Sequence, residues 1–263
     1  MNDFGLVSII TPSYNCAGFI GETIASIQAQ TYRNWELIIT DDCSTDNSTQ
    51  VIESYCRQDS RIKLLRLDSN SGAGAARNNS IRAARGRFIA FCDSDDRWTP
   101  DKLQLQLEFM TSNGYGLTYT SYDTCSEQGC VNGYVECLPK LTYTKILRDN
   151  GIGCLTAIYD RDKIGLHTMP PIRKRQDWCL WIDIIRKTGP AFGLQQPLAL
   201  YRVRTGSISS NKLEMLRWNF NVYHKVVGYN AFVSALMLGG FFMPYYFYKK
   251  LKQKNDYKKR QKQ

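Results

Sequence analysis

The sequence predicts an α/β domain on a mostly parallel central sheet, extended at its C-terminus by an apolar helical segment. Three observations predict it. Over the first 120 residues, short β-branched runs alternate with segments of helical periodicity. Several of these runs end in polar or acidic clusters, the place where open α/β sheets bind ligands. The chain closes with a long uncharged stretch followed by a basic tail. Regular β-α-β-α alternation implies parallel strands joined by crossover helices on both faces.

Each element follows in turn. Residues 6–11 form a β-branched run stopped by Pro12, and residues 20–30 have helical apolar spacing. Residues 35–40 are the second strand, ending in Asp41 and Asp42, after which Asp46 or Ser48 caps a helix through Cys56. A third strand spans 62–67, and the Gly72-Ala73-Gly74 turn opens a helix reaching Ala84. The fourth strand, 87–92, runs into Asp93-Ser94-Asp95-Asp96. Thr99 and Pro100 then supply a cap and a first-turn proline for a helix to Ser112. Further on, the pattern predicts a strand at 117–122, a loop or hairpin at 123–140, a helix at 142–150 and a strand at 155–159. Two prolines and Arg173-Lys174-Arg175 make 165–175 a predicted mobile loop. Behind Asp177, Trp178, Trp181, Ile182 and Ile185 recur at helical spacing.

The 263 residues suit one such domain plus an appendage. Formal net charge is +10, but from Lys249 onward seven Lys and one Arg face a single Asp, so the tail holds +7 of it. The body is therefore not a basic nucleic-acid binder. Nine cysteines, irregularly spaced and without a Cys-x-x-Cys pair, behind an N-terminus unlike a signal peptide, point to a reducing cytoplasm. With only two histidines, any metal must be held by oxygen ligands.

Residues 226–248 carry no formal charge and suffice in length to cross a bilayer. Gly239, Gly240 and Pro244 interrupt them. A single span would separate a cytoplasmic domain from a basic tail that also belongs inside. A helix in the membrane interface, or a shallow hairpin, keeps both on the cytoplasmic face of an anionic membrane.

Asp93-Ser94-Asp95-Asp96 is the sharpest chemical feature. Three carboxylates at the end of an apolar strand repel one another, and a hard divalent cation, Mn²⁺ or Mg²⁺, would join them to phosphate oxygens. A solvated, helix-capping turn is the plainer alternative. Asp41 could accept from a pyrimidine N–H while Tyr14 offers a stacking face, although turn chemistry and core packing explain each as well. Arg77 follows a glycine-rich helix start whose amides favour an anion. Asp177 alone reads as a negative charge at a helix N-terminus.

Taken in order, these clusters resemble family 2 glycosyltransferases of bacterial polysaccharide and teichuronic-acid-type synthesis. The likeness is dense over residues 5–112, in Val7-Ser-Ile-Ile-Thr-Pro-Ser-Tyr-Asn15, Gln30-Thr-Tyr-Arg-Asn-Trp-Glu-Leu-Ile38, Asp41-Asp-Cys-Ser-Thr-Asp46, Asn70-Ser-Gly-Ala-Gly-Ala-Ala-Arg-Asn78 and Phe88-Ile-Ala-Phe-Cys-Asp-Ser-Asp-Asp96. It continues in Arg175-Gln-Asp-Trp-Cys-Leu-Trp181 and Tyr201-Arg-Val-Arg-Thr-Gly-Ser-Ile-Ser209.

The resemblance implies a GT-A (Rossmann-like) single domain over 1–212, with a nucleotide-binding half to 112 and an acceptor half after it. An apolar helical segment, 213–248, and a basic tail, 249–263, would follow. It also implies that Thr11, Pro12 and Tyr14 line a uracil pocket, with Asp41 on the base and Arg77 near base or phosphates. Asp93, Ser94, Asp95 and Asp96 would bind ribose and metal, the doubled aspartate leaving the metal ligand open. Asp177 would be the general base, and Arg202 and Arg204 would lie near the diphosphate.

The implied reaction is metal-dependent, inverting transfer from a UDP-sugar to a glycan or lipid-linked acceptor. A sugar-nucleotide pyrophosphorylase and a non-catalytic, membrane-bound nucleotide-sugar-binding protein are the alternatives.

Overall fold

β-Branched and aromatic residues on alternate sides of each strand produce two hydrophobic layers, one on each face of a single sheet. In the computed structural model, which describes residues 3–204 and 212–260, β1 (Val7–Ser13) and β2 (Trp35–Asp41) are buried along their whole length. That is the pattern of strands covered on both faces. Ile9, Leu37, Ile39, Phe88 and Ala90 pack on one side with α1 (Ile20–Gln28), α2 (Ser48–Gln58) and a further helix at Lys102–Ser112. Ile10, Ile38, Ile89 and Phe91 pack on the other with α3 (Ala73–Ala83) and the tryptophans after Asp177.

The remaining elements in chain order are β3 (Ile62–Arg66), β4 (Phe88–Phe91), β5 (Arg97–Trp98), α4 (Lys102–Ser112), β6 (Leu117–Cys125), β7 (Val131–Val135), β8 (Lys140–Leu141) and α5 (Tyr143–Ile146). They continue with β9 (Ile158–Asp160), α6 (Arg161–Ile164), α7 (Gln176–Thr188), β10 (Ala191–Arg202), α8 (Lys212–Asn221), α9 (Ala231–Leu236) and α10 (Met243–Arg260). The strand order is 3-2-1-4-9-6-10-5. β1 pairs in parallel with β2 and β4, β2 with β3, and β6 with β10. β9 runs antiparallel between β4 and β6, and β5 closes the edge antiparallel to β10. The C-terminal ends of β1, β2 and β4 thus line one edge, and all three acidic or aromatic clusters sit there.

Several elements differ from expectation; the strand expected at 155–159, for one, is a 3₁₀ turn at Cys154–Thr156 followed by β9. The helix predicted over 142–150 spans only Tyr143–Ile146, because the chain after it is drawn into side-chain contacts described below. β10, unmarked in the sequence pattern, is twelve residues long, with register shifts on either side of Pro197 that hide its periodicity. Residues 165–175 carry neither helix nor strand, and Asn78 pins them by bonding both the amide and the carbonyl of Met169.

The apolar extension is also divided. A first helix continues through a π-wound turn, Val222–Val227, and stops at Gly228, whose φ of +89° suits glycine. Asn230 then caps a second helix by accepting from the Val233 amide at 2.9 Å. This helix passes a π-wound turn at Met237–Phe242, just before Pro244, whose ring nitrogen offers no proton to the preceding turn. It continues to Arg260, across the predicted boundary between apolar segment and basic tail. Ala231–Gln253 is long and apolar enough to cross a membrane. Its Phe242 joins the core beside Trp178, whereas Phe232, Leu236, Phe247 and Leu251 stay exposed.

Candidate active site

The floor of the site is built by mutual bonding of the loops after β1 and β2. Asn15, at φ +46°, accepts from the amides of Thr45 and Asp46, and its own amide donates to the Ser44 hydroxyl. Asp41 accepts from Ser13 Oγ at 3.0 Å, Ser44 N at 2.8 Å and Ser44 Oγ at 2.5 Å. Asp41 therefore braces this floor, the turn chemistry that was the plainer reading of it in the sequence. Between these ties Tyr14 stands half exposed at the surface, while Thr11 is buried with its hydroxyl lacking a partner among the described residues.

The glycine-rich turn differs from its predicted use. Its amides already hold an anion: Asp42 accepts from Ser71 N at 2.7 Å and Gly72 N at 2.8 Å. Gly74 serves close packing. A Cβ there would lie 2.6 Å from Gln176 Nε2, so a larger residue would push the Gln176 amide off the Ile172 carbonyl to which it donates. This contact brings Asp177 to the N-terminal half of the domain.

At the end of β4 the four-residue acidic turn is closed by the Asp96 amide donating to the Asp93 carbonyl. Arg77 donates to Asp93 Oδ1 at 2.6 Å. Burial opposes the charge on Arg77, yet Asp93, Cys154 and Asp177 nearby raise its pKa overall. Arg204 donates to Asp95 Oδ2 at 3.1 Å and lies 4.4 Å over the Phe19 ring. Burial, then the charge of Asp93, raise the Asp95 pKa against the pull of Arg204. Asp96 is 1% exposed, and its Oδ1 accepts from the Arg202 amide at 2.9 Å. Its pKa is pushed well up by burial, then by Asp95 and Asp93.

The two arginines of β10 and its continuation are not equivalent. The Arg202 side chain is 2% exposed and donates to the carbonyls of Asp95 and Glu127 and to Glu22. It is a strut that fixes the acidic turn. Arg204, 30% exposed, keeps a face toward solvent. Residues 205–209 of the same motif lie outside the described residues.

Asp177, second residue of α7, is partly exposed, and its Oδ2 accepts from Asn150 Nδ2 at 2.7 Å. Cys154 and Tyr122 lie in the field of both Asp177 and the acidic turn, and burial first of all raises both their pKa values. Thus Asp93, Arg77, Cys154, Tyr122 and Asp177 share one locality. Sequence reasoning missed Phe19, Glu22, Tyr122, Asn150 and Cys154, since none belongs to an acidic or glycine-rich run.

Among the described residues, no three His, Cys, Asp or Glu side chains converge as a complete metal cage. Two part-exposed carboxylates, Asp93 and Asp95, suit a hard cation that draws its other ligands from water and phosphate.

Residues 8–161 match the sequence family described as "Glycosyl transferase family 2". The Bacillus subtilis protein named "Putative teichuronic acid biosynthesis glycosyltransferase TuaG" is 41% identical over 222 residues, 84% of this chain and 88% of its own. The Escherichia coli "UDP-Glc:alpha-D-GlcNAc-diphosphoundecaprenol beta-1,3-glucosyltransferase WfgD" is 40% identical over 223 residues, 84% and 86% of the two chains. S. aureus TarS 1-349 in complex with UDP shares the fold at TM-score 0.64 and 21% identity, covering 89% of this chain and 70% of that one. A mannosyltransferase from Pyrobaculum calidifontis, in complex with GDP-Man and Mn²⁺, does so at 0.67 and 16%, over the same shares.

Proposed function

The chain belongs to glycosyltransferase family 2, with the GT-A fold, and from that premise we propose that it moves a hexosyl group from a UDP-sugar to a hydroxyl of a lipid-linked glycan, inverting the anomeric carbon. The observation that carries this reading is the meeting of two part-exposed carboxylates, Asp93 and Asp95, with arginines and with Asp177 from the other half of the domain. Relatives named for UDP-Glc and diphosphoundecaprenol-linked acceptors support the donor and acceptor classes. Family membership removes the pyrophosphorylase alternative.

Thr11, Pro12 and Tyr14 line the uracil site, with Asp41 on the nucleobase; the Thr11 hydroxyl, without a partner among the described residues, and the exposed Tyr14 ring support this. Asp93 and Ser94 face the ribose. Asp95, with Asp93, would hold Mn²⁺ or Mg²⁺, and the raised pKa of Asp95 fits a carboxylate pair suited to a cation. That ion supplies Lewis-acid stabilisation of the leaving diphosphate. Asp96 and Arg202 fix the turn from beneath, and Arg204 and Arg77 offset charge on the diphosphate. Asp177 accepts the proton of the acceptor hydroxyl while its oxygen bonds the anomeric carbon. The bond from that carbon to the diphosphate breaks on the opposite face, its electron pair leaving with UDP.

The exposed apolar ridge of Phe232, Leu236, Phe247 and Leu251 lies along the helix that carries the basic tail. It rests on the anionic cytoplasmic leaflet, where a lipid-linked acceptor resides.

General-base help contributes about 10²–10⁴-fold. Asp177→Asn is expected to keep UDP affinity by titration calorimetry and to lose turnover on that scale. Near-normal turnover would refute the assignment.

A further inference from the structure

The C-terminal extension reaches the reaction centre from below. Asn150 spends an amide proton on Asp177 Oδ2 at 2.7 Å, while its own Oδ1 is buried without a partner among the described residues. A carboxamide left half-satisfied in the interior is a poor packing choice, and most buried polar groups are fully bonded. Its use lies in what it orients.

The segment carrying Asn150 is gripped from both sides. From the extension, Tyr223 Oη donates to the Leu147 carbonyl at 2.6 Å, and Lys249 Nζ bonds Asp149 Oδ2 at 2.5 Å and reaches the Asn150 carbonyl at 3.5 Å. From the base-bearing helix, Trp178 Nε1 donates to the Ile146 carbonyl at 2.7 Å. The extension also holds the start of α7 directly. Asn219 Oδ1 accepts from Arg175 Nε at 2.8 Å, and Trp178 meets Tyr223 and Phe242 at ring distances of 5.8 and 5.9 Å. Both partners of the Asn150–Asp177 hydrogen bond are therefore set by residues more than forty positions downstream.

We propose that Asn150 is a positioning residue for the base, and that the extension, through Lys249 and Tyr223, holds it there, so that residues 212–260 complete the transfer site. The proposal rests on Asp177 being the base. In-line transfer requires acceptor oxygen, anomeric carbon and base to be held together, and a displacement of about 1 Å can cost on the order of 100-fold in rate.

The test uses the full chain, with UDP release measured on the UDP-sugar and lipid-linked acceptor that the wild type turns over fastest, and UDP affinity measured separately. Asn150→Ala is expected to lower kcat roughly 10- to 100-fold while UDP affinity stays within about twofold. In an Asp177→Asn background it should cost nothing further, because groups that act as one unit are not additive. Lys249→Met should lower kcat by about three- to tenfold with the donor KM unchanged, and Lys249→Arg should restore it. Should Asn150→Ala not fold, the Lys249 pair carries the test.

Full kcat in Asn150→Ala or in Lys249→Met, beside an inactive Asp177→Asn, overturns the positioning role and leaves the base intact. A loss that multiplies fully with Asp177→Asn overturns it in favour of a structural role. An active Asp177→Asn overturns the base assignment itself.

Discussion

Two acidic groups occupy opposite ends of the same sheet, and their fates differ. Near the start of β2, Glu36 is buried but accepts from Ser8 Oγ at 2.8 Å, the Arg85 amide at 2.9 Å and Lys63 Nζ at 2.9 Å, with the Arg85 guanidinium also in reach. Burial raises its pKa, yet these donors win and bring it to about 2. At the end of β4, burial and mutual repulsion prevail instead, and Asp95 and Asp96 are raised despite Arg204 and Arg202. The chain thus compensates a buried carboxylate fully where it only holds strands together. It leaves carboxylates under tension at the end of β4, and perturbed groups of that kind mark candidate functional sites.

The largest effect is expected at the C-terminal end of β4. Asp95→Ala is expected to weaken UDP binding in the presence of Mn²⁺ by at least about tenfold, since about 1.4 kcal/mol already corresponds to that factor. Calorimetry that gave the wild-type affinity would remove Asp95 from the metal. Melting temperature should hardly fall, because a repelling charge is lost with the contact to Arg204.

At the other end the outcome inverts. Glu36→Ala strands several donors and should cost about 2 kcal/mol, or roughly 4–8 °C in melting temperature for a chain of this size. Turnover per folded molecule should be unchanged. The pH dependence has a definite sign. The folded pKa of Glu36 lies below its ordinary value of 4.5, so its stabilisation is full above 4.5 and fades as pH falls toward about 2. Denaturation series between pH 5 and 2 should be flatter for the variant than for the wild type; equal slopes would show that Glu36 is not compensated.

A smaller effect is expected at Asp96. Asp96→Asn keeps an acceptor for the Arg202 amide and removes a buried charge, so it should raise stability by about 1 kcal/mol. Loss of stability there would mean that Arg202 needs the negative charge rather than the oxygen. Smallest in stability is Phe247→Ser with Leu251→Ser on the exposed ridge. Surface changes of this kind usually stay within about 0.5 kcal/mol. Sedimentation with anionic liposomes should fall severalfold; binding at the wild-type level would exclude the ridge from docking.

Much of the N-terminal half was legible in advance, because its strands are uninterrupted β-branched runs such as Val7–Ser13 and Trp35–Asp41. The position of β9 between β4 and β6 was not, since sheet order is a tertiary property. β10 escaped because Gln195, Gln196 and Pro197 break its alternation. In the site, the acidic turn declared itself by charge density. Arg202 did not reveal its bracing role, because Glu22 lies 180 residues away in sequence. Asn150 was invisible for the same reason: it closes the helix expected over 142–150, and only the fold brings Asp177 to it.

On the proposed function, a divalent ion and a nucleotide diphosphate complete the acidic turn after β4. Crystals soaked with UDP and Mn²⁺ would test it most directly, through the anomalous signal of manganese. A manganese peak in contact with Asp95 and beside the bound diphosphate is the expected result. UDP bound at this edge without manganese, or manganese and UDP both elsewhere, would contradict it.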